Sequence, residues 1–325
     1  MIATTDSIES LAFFLQQAPG VGAAGLRNIF RKLAHEEFEP RNLLSLEDWK
    51  LQAKLDLKPE SIAALRSPAD QACETWQNLE RNGVAVLVRG FEGYPKRLND
   101  VLGDSAPPII YVAGNRELLD KPSAGFCGSR LASAQGIEIA RQTARLLARE
   151  SINVVSGYAK GVDIATHSGA LEEVGGTTTI ILAEGILHFR LKQKELPWLG
   201  DDPMSRIVVV SEFPPRLPWK AHNAMTRNRT ICALSEALVV IESGMEGGTF
   251  DAGNAALNLS IPLFCVKYAQ PLESASGNVY FLEHGAIPLQ RSPDGQPNTT
   301  KLVATIKARA THQKPQSNPQ HEFAF

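Results

Sequence analysis

The sequence predicts an α/β protein in which a doubly wound, mainly parallel sheet follows a small all-helical domain. Three observations carry that prediction. Up to about residue 80, apolar residues recur at helical spacing and no strand pattern appears. From about residue 84, short β-branched runs alternate with helical segments, the pattern of a parallel sheet covered on both faces. With 43% hydrophobic and 21% charged residues over 325 positions, the chain can bury a sizeable core and suits about two domains.

In chain order, Ser7 can cap the run Ile8–Ala18, and Pro19-Gly20-Val21-Gly22 punctuates before AAGLRNIFRKL repeats an apolar face. LLSLEDWKLQAKL and PESIAALRS each begin on a Ser or Pro start signal and carry a helical stripe. These segments make residues 1–82 a helical domain. The turn Gly20-Val21-Gly22 between two helices, followed by Arg27, Arg31 and Lys32, looks like a helix-hairpin-helix turn, which offers backbone N–H groups to DNA phosphate.

Eight strand runs follow, at 84–88, 109–114, 124–129, 152–157, 177–185, 206–213, 237–244 and 261–267. Helical stretches such as QGIEIARQTARLLARE and VDIATHSGALEEVG separate several of them. Residues 83–305 therefore form the sheet domain. From residue 306 the chain turns polar, Pro-bearing and aperiodic, and residues 306–325 read as a disordered tail.

Lys and Arg total 33 against 35 Asp and Glu, a formal charge of −2. That excludes attachment to nucleic acid by bulk basicity but leaves room for a local basic groove. Cys73, Cys127, Cys232 and Cys265 are scattered, without zinc spacing or a CxxC pair, and read as buried reduced thiols of a cytoplasmic protein. The N-terminus lacks signal-peptide character and no apolar stretch is long enough to span a membrane.

In an open parallel sheet, ligands bind beyond the carboxyl ends of the strands. Four strand ends here carry small turns, three of them with glycine: Gly128-Ser129-Arg130, Ser156-Gly157 through Lys160-Gly161, and Glu242-Ser243-Gly244 leading to Gly247-Gly248-Thr249, beside Ser211-Glu212. Glycine lets backbone N–H groups approach an anion, so these turns read as a phosphate-binding rim. The segment 216–230 adds Trp219, Lys220, His222, Arg227, Asn228 and Arg229, with cations for phosphate and rings for stacking. His167 reads as a structural histidine, and Asp163 as a cap of its helix rather than an acid. No P-loop, dinucleotide fingerprint, nucleophile elbow or metal motif is present, and no catalytic residue is assigned.

The ordered motifs Tyr94-Pro95-x-Arg97-Leu98, Pro107-Pro108, Gly128-Ser129-Arg130, Ser156-Gly157-x-Ala159-x-Gly161-x-Asp163, His167, Ser211-Glu212-Phe213-Pro214-Pro215 and Arg227-Asn228-Arg229 resemble the DprA/Smf family, from about residue 90 to 290. The resemblance implies an extended Rossmann-like domain behind a SAM-like helical one. It further implies a homodimer without cofactor or enzymatic activity that binds and protects single-stranded DNA and helps load the RecA recombinase. Carried over, Gly128, Ser129, Arg130, Ser156, Gly157, Lys160, Arg227, Asn228 and Arg229 would line the DNA pocket. Ala224 and Met225 stand where the family carries Phe-Pro, so Trp219 or His222 would have to do the stacking.

Two other readings keep the fold. The rim could hold a nucleotide or nucleotide-derived signal. Alternatively, Gly248-Thr249 could belong to the G-G-x-G-T-x-x-E signature of phosphoribohydrolases, but Ala252 occupies the position of the catalytic Glu. Asp251 is one residue short, about 100° away around a helix.

Overall fold

The computed structural model describes residues 6–34, 39–270, 272–293 and 295–313. Helix α1 (Ile8–Gln17) starts where Ser7 is extended and its hydroxyl accepts the Ser10 N–H at 3.2 Å. Ser10 returns the bond by accepting from the Ser7 N–H, also at 3.2 Å, which completes a capping box. Leu11 through Leu15 are all buried, so α1 is the axis around which its neighbours pack. These are α2 (Ala23–Leu33), α3 (Pro40–Leu44), α4 (Asp48–Leu55), α5 (Pro59–Arg66) and α6 (Asp70–Arg81).

The sheet region runs β1 (Ala85–Val88), α7 (Lys96–Leu102), β2 (Ile109–Gly114), β3 (Ser123–Cys127), α8 (Ala134–Arg149), β4 (Asn153–Ser156), α9 (Val162–Glu172), β5 (Thr178–Ile181) and β6 (Ile207–Ser211). It continues through α10 (Ala221–Ala233), β7 (Ala237–Val240), α11 (Gly248–Asn258), β8 (Leu263–Val266), α12 (Ser276–Glu283), β9 (Ile287–Leu289) and α13 (Thr300–Gln313).

All nine strands join one sheet in the order β1-β2-β6-β5-β4-β3-β7-β8-β9. Only β2 runs against the rest, since its pairings with β1 and with β6 are both antiparallel. Two reversals restore direction, so β1 ends on the same edge as β6, β5, β4, β3 and β7. The doubly wound, mainly parallel sheet behind a helical region is thus present. All eight sequence runs became strands, and β9 is an addition.

Successive strand residues face opposite sides, and the core divides accordingly. On one face the helical region covers β1, β2, β6 and β5 through Val86, Val88, Tyr111, Ile180, Ile207 and Val209. Beside it, α8, α9 and α13 cover Ala124, Phe126, Val154, Val239 and Phe264. The other face, with Val155, Ile181, Val208, Val210, Leu238 and Val240, lies under α7, α10, α11 and α12.

The tail expected from residue 306 is corrected in its first part. Residues 306–313 continue α13, because Leu302 and Ile306 form a one-turn apolar pair buried against the sheet. Residues 314–325 lie outside the described residues. Cys127, Cys232 and Cys265 are buried and Cys73 is half-buried, all four as free thiols. No described helix is long and apolar enough to cross a membrane.

Candidate functional site

The chain leaves β3 toward β4 on one side and returns to β7 on the other, so a crevice opens at the end of β3. Its wall is the loop after β3. The Ser129 N–H donates to the Glu242 carbonyl at 3.0 Å, and the Leu131 N–H donates to Ser129 Oγ at 3.0 Å. The buried Glu242 carboxylate accepts from the Ser133 N–H (2.8 Å), the Ser133 hydroxyl, Tyr268 Oη (3.2 Å) and Ser274 Oγ (3.4 Å). Ser133 also caps α8. A negative group therefore already occupies the positive end of α8.

The floor is a buried cluster. Asp163 accepts from Ser156 Oγ (3.1 Å) and from the Ala159 N–H (3.2 Å), so it braces the turn after β4 instead of capping α9, whose N-cap is Gly161. Arg227 stands 4.0 Å from Asp163, is 7% exposed, and makes no hydrogen bond among the described residues; its Nε is buried without a partner. Gly157 makes room for it, since an added Cβ would lie 2.2 Å from Arg227 Nη1 and 2.4 Å from Asp163 Oδ2.

Beneath, His167 is fully buried, with Nε2 2.5 Å from the Gly157 carbonyl and Nδ1 2.6 Å from Thr178 Oγ1. Burial lowers its pKa, which keeps the ring neutral. The carbonyl can only accept, so Nε2 carries the proton, while the Thr178 hydroxyl lies between Nδ1 and the Val154 carbonyl (2.8 Å) with one proton for the two.

Three helices aim at this crevice without a side-chain cap: α9 from Gly161, α10 from Lys220 and α11 from Gly247. Their starts carry the positive ends of the helix dipoles, partly met in α9 by the Val162 N–H donating to the Ser129 carbonyl at 3.4 Å, and by Asp163 and Asp251 in the first turns of α9 and α11. Asn228 Nδ2 donates to the Gly248 carbonyl at 2.8 Å and ties α10 to the start of α11.

The crevice encloses about 410 Å³ between Gly128–Arg130, Asp163, Arg227, Asn228, Glu242 and Gly248-Thr249. A second hollow of about 410 Å³ shares Arg130, Ala159, Trp219 and Arg227 with it and reaches Lys160, Glu184 and Lys192, so the two make one groove. The Arg130 guanidinium lies 5.3 Å from the Trp219 ring centre, and Lys192 Nζ 4.5 Å from that of Tyr158. Four of the eight exposed large apolar side chains among the described residues, Leu131, Trp219, Met225 and Met245, lie in the segments that form this groove.

The groove brings together Gly128, Ser129, Arg130, Lys160, Trp219, Arg227, Asn228, Gly248 and Thr249 of the residues singled out in the sequence. Gly161 and Gly247 supply the helix starts, both with positive φ (+83° and +88°). An added Cβ on Gly161 would come within 2.6 Å of the Ser129 carbonyl, so the two glycine turns pack on each other. Ser156 and Gly157 lie underneath as supports.

Lys220 and His222 are exposed at the start of α10 without lining the groove. Arg229 is exposed outside it, because two residues along a helix turn a side chain by about 200°. Sequence reasoning passed over the Glu242 brace, Tyr158 and Lys192. Glu242 could have been suspected as an acid ending a buried strand, whereas Lys192 sits in a segment without periodicity. Arg97 pairs with Glu236 (3.1 Å) and Tyr94 Oη donates to the Pro107 carbonyl (2.7 Å), so that motif serves packing. Ala252 is wholly buried in the core.

The sequence model described as DNA recombination-mediator protein A matches residues 85–295. DNA processing protein DprA of Streptococcus pneumoniae is 31% identical over 196 residues, covering 59% of this chain and 66% of that protein. Protein Smf of Escherichia coli is 28% identical over 215 residues, covering 64% and 55%. The chain thus spans between about half and two thirds of the length of these relatives.

Among solved structures, DprA of S. pneumoniae aligns with a TM-score of 0.68 at 21% identity, over 88% of this chain and 95% of that one. DNA processing protein A of Helicobacter pylori, described with a single-stranded DNA binding mode, aligns at 0.56 and 23% identity, over 70% and 96%. At these identities the likeness concerns the fold.

Proposed function

This chain belongs to the DNA recombination-mediator protein A family, whose model matches well over half of it, and from that premise we propose that the groove binds single-stranded DNA without regard to sequence. One observation carries the reading. Arg227 is a buried cation without a hydrogen-bond partner among the described residues, on the floor of a cleft where three uncapped helix starts converge. Such an arrangement is incomplete until an anion with several acceptor oxygens arrives, and a phosphodiester is one.

Trp219 and Met225 add apolar surface for unpaired bases, which a duplex keeps stacked inside. With Ala224 and Met225 lining the cleft and His222 outside it, Trp219 is the ring placed to stack. Protection of the bound strand, handover to the RecA recombinase and assembly as a homodimer belong to this proposal as its further consequences.

The test is fluorescence anisotropy with labelled oligothymidine across a salt series, competed by duplex and by mononucleotide. Binding that strengthens with length, prefers the single strand and falls steeply with salt supports the reading. A volume of about 410 Å³ also suits a small ligand, which favours a nucleotide-derived signal as the second reading. Tight, length-independent mononucleotide binding would establish that reading instead.

A further inference from the structure

A second cleft, of about 480 Å³, opens between the helical region and the sheet. One wall is α2, with Arg27 and Arg31 one helical turn apart, and the other is the turn after β1, with Arg89 and Lys96. The walls meet closely, since a Cβ added to Gly90 would lie 3.1 Å from Ala34 Cβ. Among the described lining residues four are cationic and one, Asp104, is acidic.

Arg89 is engaged by Asn99 (2.8 Å) and Asp104 (4.0 Å), and Lys96 by Asp100 (3.4 Å). Arg27 and Arg31 make no hydrogen bond or ion pair among the described residues, whereas Arg66, Arg97, Arg141 and Arg206 are all tied to carboxylates or carbonyls. Lys32, which follows them, turns away to the Lys54 carbonyl.

The topology places this cleft with respect to the groove. β1 ends on the same sheet edge as β4, four strand positions away, a separation of roughly 19 Å. A basic hollow with two uncommitted guanidinium groups therefore lies further along the edge on which the groove opens.

We infer that this cleft is a second phosphate station for a single nucleic-acid strand already held in the groove, with Arg27 and Arg31 as its contacts. The inference rests on the single-strand reading of the groove. It gives the helical region a part in binding through the flank of α2 instead of through the Gly20-Val21-Gly22 turn.

The experiment compares the full chain with Arg27→Gln/Arg31→Gln, using oligothymidines of about six and about thirty nucleotides across a salt series. Loss of two phosphate contacts should lower the salt slope for the long strand by about 1.4 and weaken it by on the order of tenfold at 0.1 M salt. The short strand, which fits the groove alone, should bind as before, and Arg27→Lys/Arg31→Lys should retain the long-strand slope. Unchanged long-strand binding in the Gln variant overturns the inference, and so does equal weakening of both lengths. If Arg227→Met weakens the short strand while the Gln variant changes nothing, the groove stands and the second station falls. If the parent protein binds neither length, both fall together.

Discussion

At the scale of single residues, Arg227 and His167 show two ways in which a buried polar side chain can belong to a site. Asp163 is already satisfied by Ser156 and Ala159, so Arg227 at 4.0 Å adds a weak pairing and an unpartnered Nε. Burial of such a pair roughly breaks even. Removing only one partner, however, leaves the buried Asp163 carboxylate uncompensated, so Arg227→Met should lower urea stability by about 3 kcal/mol, while the salt slope for oligothymidine falls by about 0.7. That stability loss with an unchanged slope would make Arg227 a structural residue.

His167 acts through the Gly157 carbonyl, and its effect depends on pH. Burial lowers its pKa below the ordinary 6.5, so between that lowered value and 6.5 the unfolded chain binds more protons. Its contribution is complete above pH 6.5 and is lost as pH falls below it, with a slope of at most about 1.4 kcal/mol per pH unit. Glu212 works in the opposite sense, because burial raises its pKa above 4.5 and its contribution is lost as pH rises through the raised value. The difference between parent and His167→Gln isolates the histidine. Urea midpoints from pH 5 to 7.5 should fall more steeply on acidification in the parent, and parallel curves would refute the assignment.

At the scale of elements, the four helix starts around the groove divide into one with a side-chain cap and three without. Ser133 and the buried Glu242 close α8, whereas α9, α10 and α11 begin without side-chain caps. Glu242→Gln removes the charge facing α8 while its amide can still bond Ser133 and Tyr268, so a loss of about 1–2 kcal/mol is expected. Because the change also removes a negative charge from the cleft wall, oligothymidine should bind at least as tightly at low salt. Weaker binding by a folded Glu242→Gln protein would show that the carboxylate holds ligand contacts in place.

The sequence makes the uncapped helix starts visible, because Gly161 and Gly247 follow buried β-branched runs at the spacing of strand-to-helix turns. It hides which helix is closed, since Glu242 and Ser133 are 109 residues apart and only the β3–β7 pairing joins them. Likewise, Arg227 and Arg229 look equivalent in a basic run, and the phase of α10 alone buries one and exposes the other. Strand direction was hidden too, because the runs of β1 and β2 are as apolar as those of their parallel neighbours. β9 escaped notice with three residues and a central Pro288, which only an edge strand tolerates. The start of α13 was missed because its apolar stripe is so short.

At the scale of the molecule, the division at residue 82 separates two patterns of periodicity but not two cores. The side of the sheet formed by β1, β2, β6 and β5 has the helical region where other strands have α8, α9 and α13. Phe13, Phe14 and Trp76 join the same apolar cluster as Val88, Tyr111 and Val209. Tyr111 is fully buried in β2 and donates its hydroxyl to Gln16 Oε1 at 2.6 Å, and Arg216 Nε donates to Thr75 Oγ1 at 2.8 Å.

Removing residues 1–82 would uncover a strip of β-branched and aromatic side chains across four strands, and it would leave the Tyr111 hydroxyl without its partner. Chains longer than about 150 residues often unfold in parts. Here the shared core predicts that the helical region and the sheet unfold together. Tryptophan emission reports both regions through Trp76 and Trp219, and far-UV circular dichroism reports the whole backbone. In urea the two signals should trace a single coincident transition, and Trp76→Phe should leave its shape intact. Residues 83–313 expressed alone should precipitate or bind a hydrophobic dye. A soluble 83–313 segment with the parent's midpoint would show instead that the helical region merely rests on the sheet.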